Sequence, residues 1–340
     1  MANPTRFPLI SSLATAMSLA ALVASCSAPT VLNDVASQDA ASTDVAGLKA
    51  KNAGNPLQVV TTFLPMTYFT EAVAGDRAIV TQLLPPGVDP HDYQAKPQDI
   101  QRLAAADALI ENGLGLEAFL EPLIANANNP DLAIVDSSKG IEVLGEEDGH
   151  DHDHEGPDHE GHDHGAYDPH LWLDPKKAIQ QVENIRDGLI TVDPEGKAVY
   201  TTNADDYIAD IRALDVEISE TLLAYAGQSF VTYHDFAAHF AHSYDLEVEH
   251  LVGMPESNAA PADVQRVIET VRASNLKTLL SEPRQDEAAF GAIATDLDIS
   301  VSVFDPMESS RSANPQPDDY LTTMTANLEN LAAAFKAAQP

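Results

Sequence analysis

One apolar stripe limits the folds open to this chain. Tyr207, Ile211, Leu214, Ile218, Leu222 and Tyr225 recur at steps of four, three, four, four and three. That spacing keeps every one of them on a single helical face over five turns. A helix from Pro194 to Tyr225 would run about 45–50 Å at 1.5 Å per residue. On both sides of it the pattern alternates. Before it, short β-rich runs at Gln58–Phe63, Ala78–Leu84, Ala108–Glu111 and Leu132–Asp136 are separated by helical spacing from Pro65, over Pro97–Ala105 and over Leu116–Ala125. Lys176–Ile190, after Pro175, is helical again. After the stripe come strands at Ser229–Tyr233, Glu247–Val252, Lys277–Glu282 and Ser300–Phe304. Helices at Asp235–Tyr244, Pro261–Ala273, Asp286–Leu297 and Asp319–Ala338 accompany them. Strands alternating with helices of about ten residues imply parallel βαβ units. The simplest α/β fold is therefore two βα lobes, each with a parallel sheet, joined by a long rigid helix that spans them and limits their relative motion.

The same alternation locates a binding region. In open α/β sheets ligands sit beyond the carboxyl ends of the strands, where loops and helix starts converge. His234 follows Phe230-Val-Thr-Tyr233, Asp305 follows Val301-Ser-Val-Phe304, and His91 lies in the Pro-Gly loop after the second strand. His170 stands in Asp168-Pro-His-Leu-Trp-Leu-Asp-Pro175, where a Trp and two Leu promise packed surroundings. Each alone is more often a cap or a satisfied core residue; together they are candidate ligands from two lobes facing one cleft. Glu282, ending Leu279-Leu-Ser-Glu282, is either a helix cap or a partner that orients a histidine through its free ring nitrogen. His239, His242 and His250 are read as surface or packing residues.

Just before His170 lies a segment that cannot fold. Residues 145–166 contain His150, His152, His154, His159, His162 and His164 interleaved with acids, with no Lys or Arg. Too few apolar side chains are present to offset the entropy of ordering. Imidazole is the commonest protein ligand for zinc-like ions, so the tract is expected to be a mobile loop that collects metal. The His-Glu-x-x-His signature of metallohydrolases occurs nowhere in the chain.

At 340 residues there is room for two domains, and the formal charge of -35 argues against nucleic acid or an anionic membrane as a charge-driven partner. The first 26 residues pair a positive start at Arg6 with an apolar run, Leu9–Ala24, too short for a comfortable transmembrane helix. The run ends in Val23-Ala-Ser-Cys26, and Cys26 is the chain's single cysteine. This resembles the lipobox of bacterial lipoproteins, which implies cleavage before Cys26 and a lipid on its sulfur. An intrachain disulfide and a multi-cysteine zinc site are both excluded. The expected organisation is a signal peptide over 1–25, a flexible tether over 26–56, an N-terminal lobe over 57–193, a linking helix over 194–226 and a C-terminal lobe over 227–340.

Four motifs carry a resemblance to a family. Leu84-Pro-Pro-Gly-Val-Asp-Pro-His-Asp-Tyr93, followed by Lys96-Pro-Gln-Asp99, is similar to the first-ligand motif of the metal-binding receptors of bacterial zinc and manganese ABC importers. Asp168–Pro175 resembles their second motif, Tyr233-His234-Asp235 their third and Phe304-Asp-Pro-Met307 their fourth. The similarity spans about residues 57–337, in the family's order. It implies a periplasmic-binding-protein-like two-lobed fold with one metal in the interlobe cleft, held by His91, His170 and His234. The fourth ligand is Asp305 or a water. It further implies a lipid-anchored, extracytoplasmic monomer that delivers its ion to a membrane permease and catalyses nothing. Manganese receptors usually carry a carboxylate where this chain has His234, and the His-rich loop resembles that of the zinc receptors. Three imidazoles also suit Zn²⁺ better than Mn²⁺. Other readings are a manganese receptor, a surface zinc buffer or adhesin using the His tract alone, and an exported zinc hydrolase.

Overall fold

The computed structural model describes residues 56–91, 93–145, 167–253, 259–283, 288–308 and 315–339. Cys26, the expected signal peptide, the expected tether as far as residue 55 and the six histidines of the acidic tract lie outside the described residues. Residues 50–340 form one compact unit.

Two four-stranded sheets organise that unit. In the first, β1 (Leu57–Thr61), β2 (Ala78–Gln82), β3 (Ala108–Glu111) and β4 (Ala133–Asp136) run in the order β2-β1-β3-β4. In the second, β5 (Ser229–His234), β6 (Glu247–Val252), β7 (Thr278–Ser281) and β8 (Ser300–Val303) run in the order β6-β5-β7-β8. Every pairing is parallel. The crossovers are helical: α1 (Leu64–Ala74), α2 (Pro97–Ala105) and α3 (Leu120–Ala127) in the first half, and α6 (Ala238–Ser243), α7 (Pro261–Ala273) and α8 (Ala288–Leu297) in the second. Between the halves run α4 (Pro175–Val192) and α5 (Lys197–Leu222), and α9 (Asp318–Ala338) closes the chain. In both sheets the strand order reverses between the first and third strands, and the carboxyl ends there form the crevice where such folds bind ligands.

The linking helix is shorter than the periodicity suggests. Its α-helical part is 26 residues, about 39 Å, with single 3₁₀ turns at Pro194–Gly196 and Leu223–Tyr225. The N-terminal break is built by Asp193, whose carboxylate accepts from the Arg77 guanidinium and from the Tyr200 hydroxyl. Gly196 sits so close to this knot that a Cβ would lie 2.4 Å from the Tyr200 ring and 2.5 Å from Arg77 and Asp193. The buried face of α5 is Tyr200, Ala204, Tyr207, Ile208, Ile211, Leu214, Ile218 and Leu222. It packs against α4, α1 and α9.

The core follows from strand alternation. Phe230 and Leu280 point to the large apolar cluster that also contains Leu109 of the first sheet, Ile211 and Ile218 of α5, and Leu331 of α9. Their chain neighbours Val231 and Leu279 point to the opposite face of the second sheet, where Val267, Val271, Phe290 and Ile293 form a separate cluster. Successive residues go to opposite faces, so burying both faces gives continuous apolar runs of the parallel-sheet kind. One continuous core therefore runs from the first sheet through the linking helix into the second.

Two expected helices begin later than their spacing suggests, and the expected start of a third, Asp286, lies outside the described residues. The chain at 112–119 is tied down by Glu117, which accepts from the Asn112 and Gly113 amides and from the Thr62 hydroxyl, so α3 starts at Leu120. Residues after His234 turn first, with the Phe236 amide donating to the His234 carbonyl, and α6 starts at Ala238. α8 is described only from Ala288.

Candidate metal centre

Asp-Pro-X occurs five times, and four of the copies, all but Asp193-Pro194-Glu195, fold the same way. The carboxylate of Asp89 accepts from the His91 amide (2.8 Å), that of Asp168 from the His170 amide (3.0 Å), that of Asp174 from the Lys176 amide (3.0 Å) and that of Asp305 from the Met307 amide (2.7 Å). Proline fixes φ at the middle residue and offers no N–H, so the aspartate takes the next amide along and closes a tight turn. In the first two copies the residue so delivered is a histidine. In the third, Lys176, the turn starts α4. In the fourth, Met307 adopts φ +63°, and the chain swings the following residue, Glu308, inward. Asn327 clamps that turn from α9, accepting from the Asp305 amide and donating to its carbonyl.

Four side chains thereby converge. The Nε2 atoms of His91, His170 and His234 lie 3.2, 3.1 and 3.4 Å from carboxylate oxygens of Glu308. Their ring centroids form a near-equilateral triangle of 5.5, 5.6 and 6.1 Å. His170, His234 and Glu308 are buried, at 1%, 0% and 2% exposure. Two rings are oriented from behind. The Nδ1–H of His170 donates to Asp168 Oδ1 (2.6 Å), and that of His234 to Glu282 Oε1 (2.5 Å). Each bond assigns the proton to Nδ1 and leaves Nε2 as the donor atom facing Glu308. His234 ends β5 and Glu282 follows β7, so the second pair straddles the point where the second sheet's order reverses. On the other side, the Asn112 amide, just past β3, holds the Pro169 carbonyl at 3.0 Å. Trp172 packs 5.2 Å from the His170 ring and donates its indole N–H to the Pro306 carbonyl, which locks the second motif to the fourth.

The electrostatics are those of a closed network. Burial opposes charge on His170, but the Asp168 carboxylate and then Glu308 outweigh it and push the imidazole up to about 9. Burial likewise opposes charge on His234, yet Glu282 and Glu308 hold it well above its usual value. Glu308 loses solvation, and the facing imidazoles, His234 foremost, nevertheless keep it well below the carboxylate range. Asp89 is half-buried, and its partial desolvation, followed by the charge of Glu308, pushes it up to about 6. Protonated imidazoles therefore balance the central carboxylate when no ion does.

The donor set suits one zinc-like ion. Ligand atoms about 2.0–2.1 Å from a tetrahedral ion stand about 3.3 Å from one another. The imidazole–carboxylate distances already cluster there, and all four donor atoms lie within 4.8 Å of one another. His170 Nε2 and Glu308 Oε2 are buried and make no hydrogen bond among the described residues, which is the state expected of atoms reserved for an ion.

The four candidates from the sequence separate here. His91, His170 and His234 are brought together; Asp305 is not in the group, and Glu308 stands in the fourth position. Asp305 is occupied with the Met307 amide, and its carboxyl, raised by burial, shapes the turn that presents Glu308. The available signal was the repeated Asp-Pro-X unit, in which the aspartate builds the turn and a later residue faces the site. Glu282 lies behind His234. Of the histidines read as surface or packing residues, His250 sits 3.5 Å from Asp235, whereas His239 is fully buried against the Asp168 carbonyl.

The family described as zinc-uptake complex component A, periplasmic, matches residues 59–334. The chain is 30% identical over 291 residues to the zinc-binding lipoprotein AdcA of Streptococcus pneumoniae, covering 84% of this chain and 57% of that protein. It thus spans little more than half the length of that relative. The zinc uptake protein ZnuA of Bacillus subtilis is 30% identical over 285 residues, covering 83% of this chain and 88% of that one. A manganese-binding lipoprotein, MntA of Halalkalibacterium halodurans, is 29% identical over 255 residues, covering 73% and 78%. Among solved structures, the Zn(II)-bound ZnuA-like domain of Streptococcus pneumoniae AdcA superposes with a TM-score of 0.67 at 26% identity, covering 82% of this chain and 99% of that one. With the family match running across both sheets and the linking helix, the chain belongs to the zinc-uptake complex component A family.

Proposed function

We propose that this protein is an extracytoplasmic receptor that captures Zn²⁺ through His91, His170, His234 and Glu308 and delivers it to the permease of an ABC importer. The observation that carries the reading is the convergence of three imidazole Nε2 atoms on one buried carboxylate. Four protein donors complete a tetrahedral shell and leave no position for an activated water, so the site is built to hold an ion rather than to hydrolyse with one. Three nitrogens and one oxygen favour Zn²⁺ over Mn²⁺, which prefers more oxygen donors and lies low in the affinity order. Transport-linked binding involves no bond-making step, and the protein acts as a receptor and not as an enzyme. The lipobox supports a lipid on Cys26 that anchors a monomeric body, 57–193 and 227–340 joined by 194–226, outside the cytoplasmic membrane through the 26–56 tether. The histidines of 145–166 act as auxiliary, weaker zinc sites that raise local supply.

Metal content and Zn²⁺/Mn²⁺ competition on the full chain, on a deletion of 145–166 and on a His91→Ala/His170→Ala/His234→Ala triple variant test this. One tight zinc is expected in the first two and none in the third. Tight zinc lost with the loop, or retained in the triple variant, would reduce the protein to a surface zinc buffer. Preference for Mn²⁺ would make it a manganese receptor.

A further inference from the structure

We propose that His239 is a positioning residue for the metal site, acting on His170 through Asp168. This rests on the reading that His170 is a ligand. His239 lies on α6, four residues beyond the start of the turn that leaves His234, and its side chain is fully buried. Its Nε2 is 3.0 Å from the Asp168 carbonyl oxygen. A carbonyl only accepts, so Nε2 carries the proton and the ring is the neutral Nε2–H tautomer. Nδ1 is then a bare lone pair, buried and without a hydrogen-bond partner among the described residues. A buried histidine that spends one nitrogen on a backbone carbonyl and leaves the other empty is a poor packing choice, since leucine would fill the space without that cost. The ring earns its place through what the carbonyl belongs to.

Asp168 is the residue whose carboxylate takes both the Nδ1–H and the backbone N–H of His170. Its other oxygen, Oδ2, has no hydrogen-bond partner among the described residues and lies 3.7 Å from the same His239 nitrogen. The carboxylate is thus aimed by its backbone, and that backbone is held at two points. Asn112, from the first sheet's side, holds the Pro169 carbonyl; His239, from the second sheet's side, holds the Asp168 carbonyl. The far end of α6 makes a matching contact: the Ser243 hydroxyl donates to the Asp174 carboxylate (2.5 Å), and the Lys176 ammonium donates to the Ser243 carbonyl (3.1 Å). The short helix that follows ligand His234 is therefore strapped along the segment that bears ligand His170. The direction of the His170 Nε2 lone pair depends on α6 being seated, so the two histidines are set by one joint rather than independently.

The test compares His239→Leu, which keeps volume and removes the donor, with His239→Gln, which can return an amide N–H to the same carbonyl. Zinc affinity is read by competition with a chelator, coordination geometry by the visible d–d bands after Co²⁺ replacement, and fold by melting of the metal-free protein; His170→Ala serves as reference. Partners that orient metal-bound histidines typically change affinity about 10–100-fold when removed, and a residue one bond further out belongs near the lower end, about tenfold. The expected result is that His239→Leu weakens zinc about tenfold and shifts the Co²⁺ bands, while His239→Gln restores both. Equal loss in both variants accompanied by an equal fall in metal-free melting would overturn the inference in favour of plain packing. An unchanged His239→Leu beside a His170→Ala that has lost zinc would overturn it while leaving the receptor reading intact. A His170→Ala that still binds tightly would overturn both.

Discussion

Zinc binds only the unprotonated imidazole, so the network that stabilises the metal-free cleft also competes with its ion. His170 is pushed up to about 9: burial works against the charge, but Asp168 and then Glu308 more than offset it. At any pH below that value a proton must leave before the metal enters, and each unit below it costs a factor of ten for that proton. Because His170 is already half protonated at pH 9, lowering the pH from 9 to 7 should weaken zinc about fiftyfold through His170 alone, about 2.3 kcal/mol. His234, also held well above its usual value once Glu282 and Glu308 outweigh burial, adds a second proton and makes the dependence steeper than one decade per unit. Ligation by ordinary imidazoles would instead be flat across this range and fall only below about 6.5. Competition against a chelator whose own pH dependence is known, at pH 6, 7, 8 and 9 and constant ionic strength, measures the slope. An apparent affinity unchanged between pH 7 and 9 would refute the coupled network, and with it the assignment of Glu308 as the carboxylate facing the three rings.

Further outcomes follow from the same contacts. Because the folded value of His170 lies above its unfolded value of about 6.5, its contribution to the metal-free fold is complete below about 6.5 and lost as pH rises through about 9. That is about 3 kcal/mol, so metal-free melting should drop over this interval while zinc-loaded melting should not. Glu308→Gln should weaken zinc more than about a hundredfold, whereas Asp305→Asn, which keeps an oxygen for the Met307 amide, should change it less than about threefold; the reverse order would make Asp305 the ligand. Glu282→Gln should cost about 10–100-fold in zinc affinity, read by the same competition, through the loosened His234 ring. Gly188→Ala would put a methyl 2.5 Å from a Val135 methyl where α4 presses on β4, and should destabilise both forms by about 1–3 kcal/mol with zinc stoichiometry unchanged.

What the sequence made legible divides along physical lines. Element type and order were readable because parallel strands buried on both faces must be apolar throughout and their crossovers must be amphipathic; Pro97–Ala105, Ala108–Glu111, Glu247–Val252 and Pro261–Ala273 have the same bounds in both readings. The ends of the linking helix were not readable, because a hydrophobic period does not register the Arg77–Asp193–Tyr200 knot that stops it. The three histidines that the fold brings together were visible at a strand end and in proline loops. For the fourth position the sequence offers Asp305, which directly follows a strand where ligands are sought, or a water, and it puts no mark on Glu308. What decides between them is the backbone at Met307: φ +63° redirects the chain, and no side-chain pattern announces it. His239 was passed over for the same kind of reason, since a lone histidine on a helix carries no mark of the carbonyl it will meet 71 residues away.

The arrangement also gives a reason for the proposed fourth donor to be a glutamate on a turn rather than another rigid strand-end group. A carboxylate among three imidazoles must be neutralised in both states of the site, by protons when metal is absent and by zinc when it is present. Burying it without either would leave an uncompensated charge, which is costly. Glu308 reaches all three Nε2 atoms at 3.1–3.4 Å, so it can share the protons of the empty site without leaving the geometry the ion needs. Exchange of zinc for protons then requires little rearrangement of the four donors. The affinity of the cleft is accordingly set less by the donors themselves than by the groups behind them: Asp168 and Glu282, which fix the tautomers of His170 and His234, and the Asp305–Asn327 clamp, which holds the turn that presents Glu308. Each of those groups hangs from a different element, β7, α9 or the loop ahead of α4. Any displacement that separates those elements would disturb the donors from behind and lower affinity before any ligand is removed. The proposed receptor, which would both hold its ion and give it up, needs such a handle on the site.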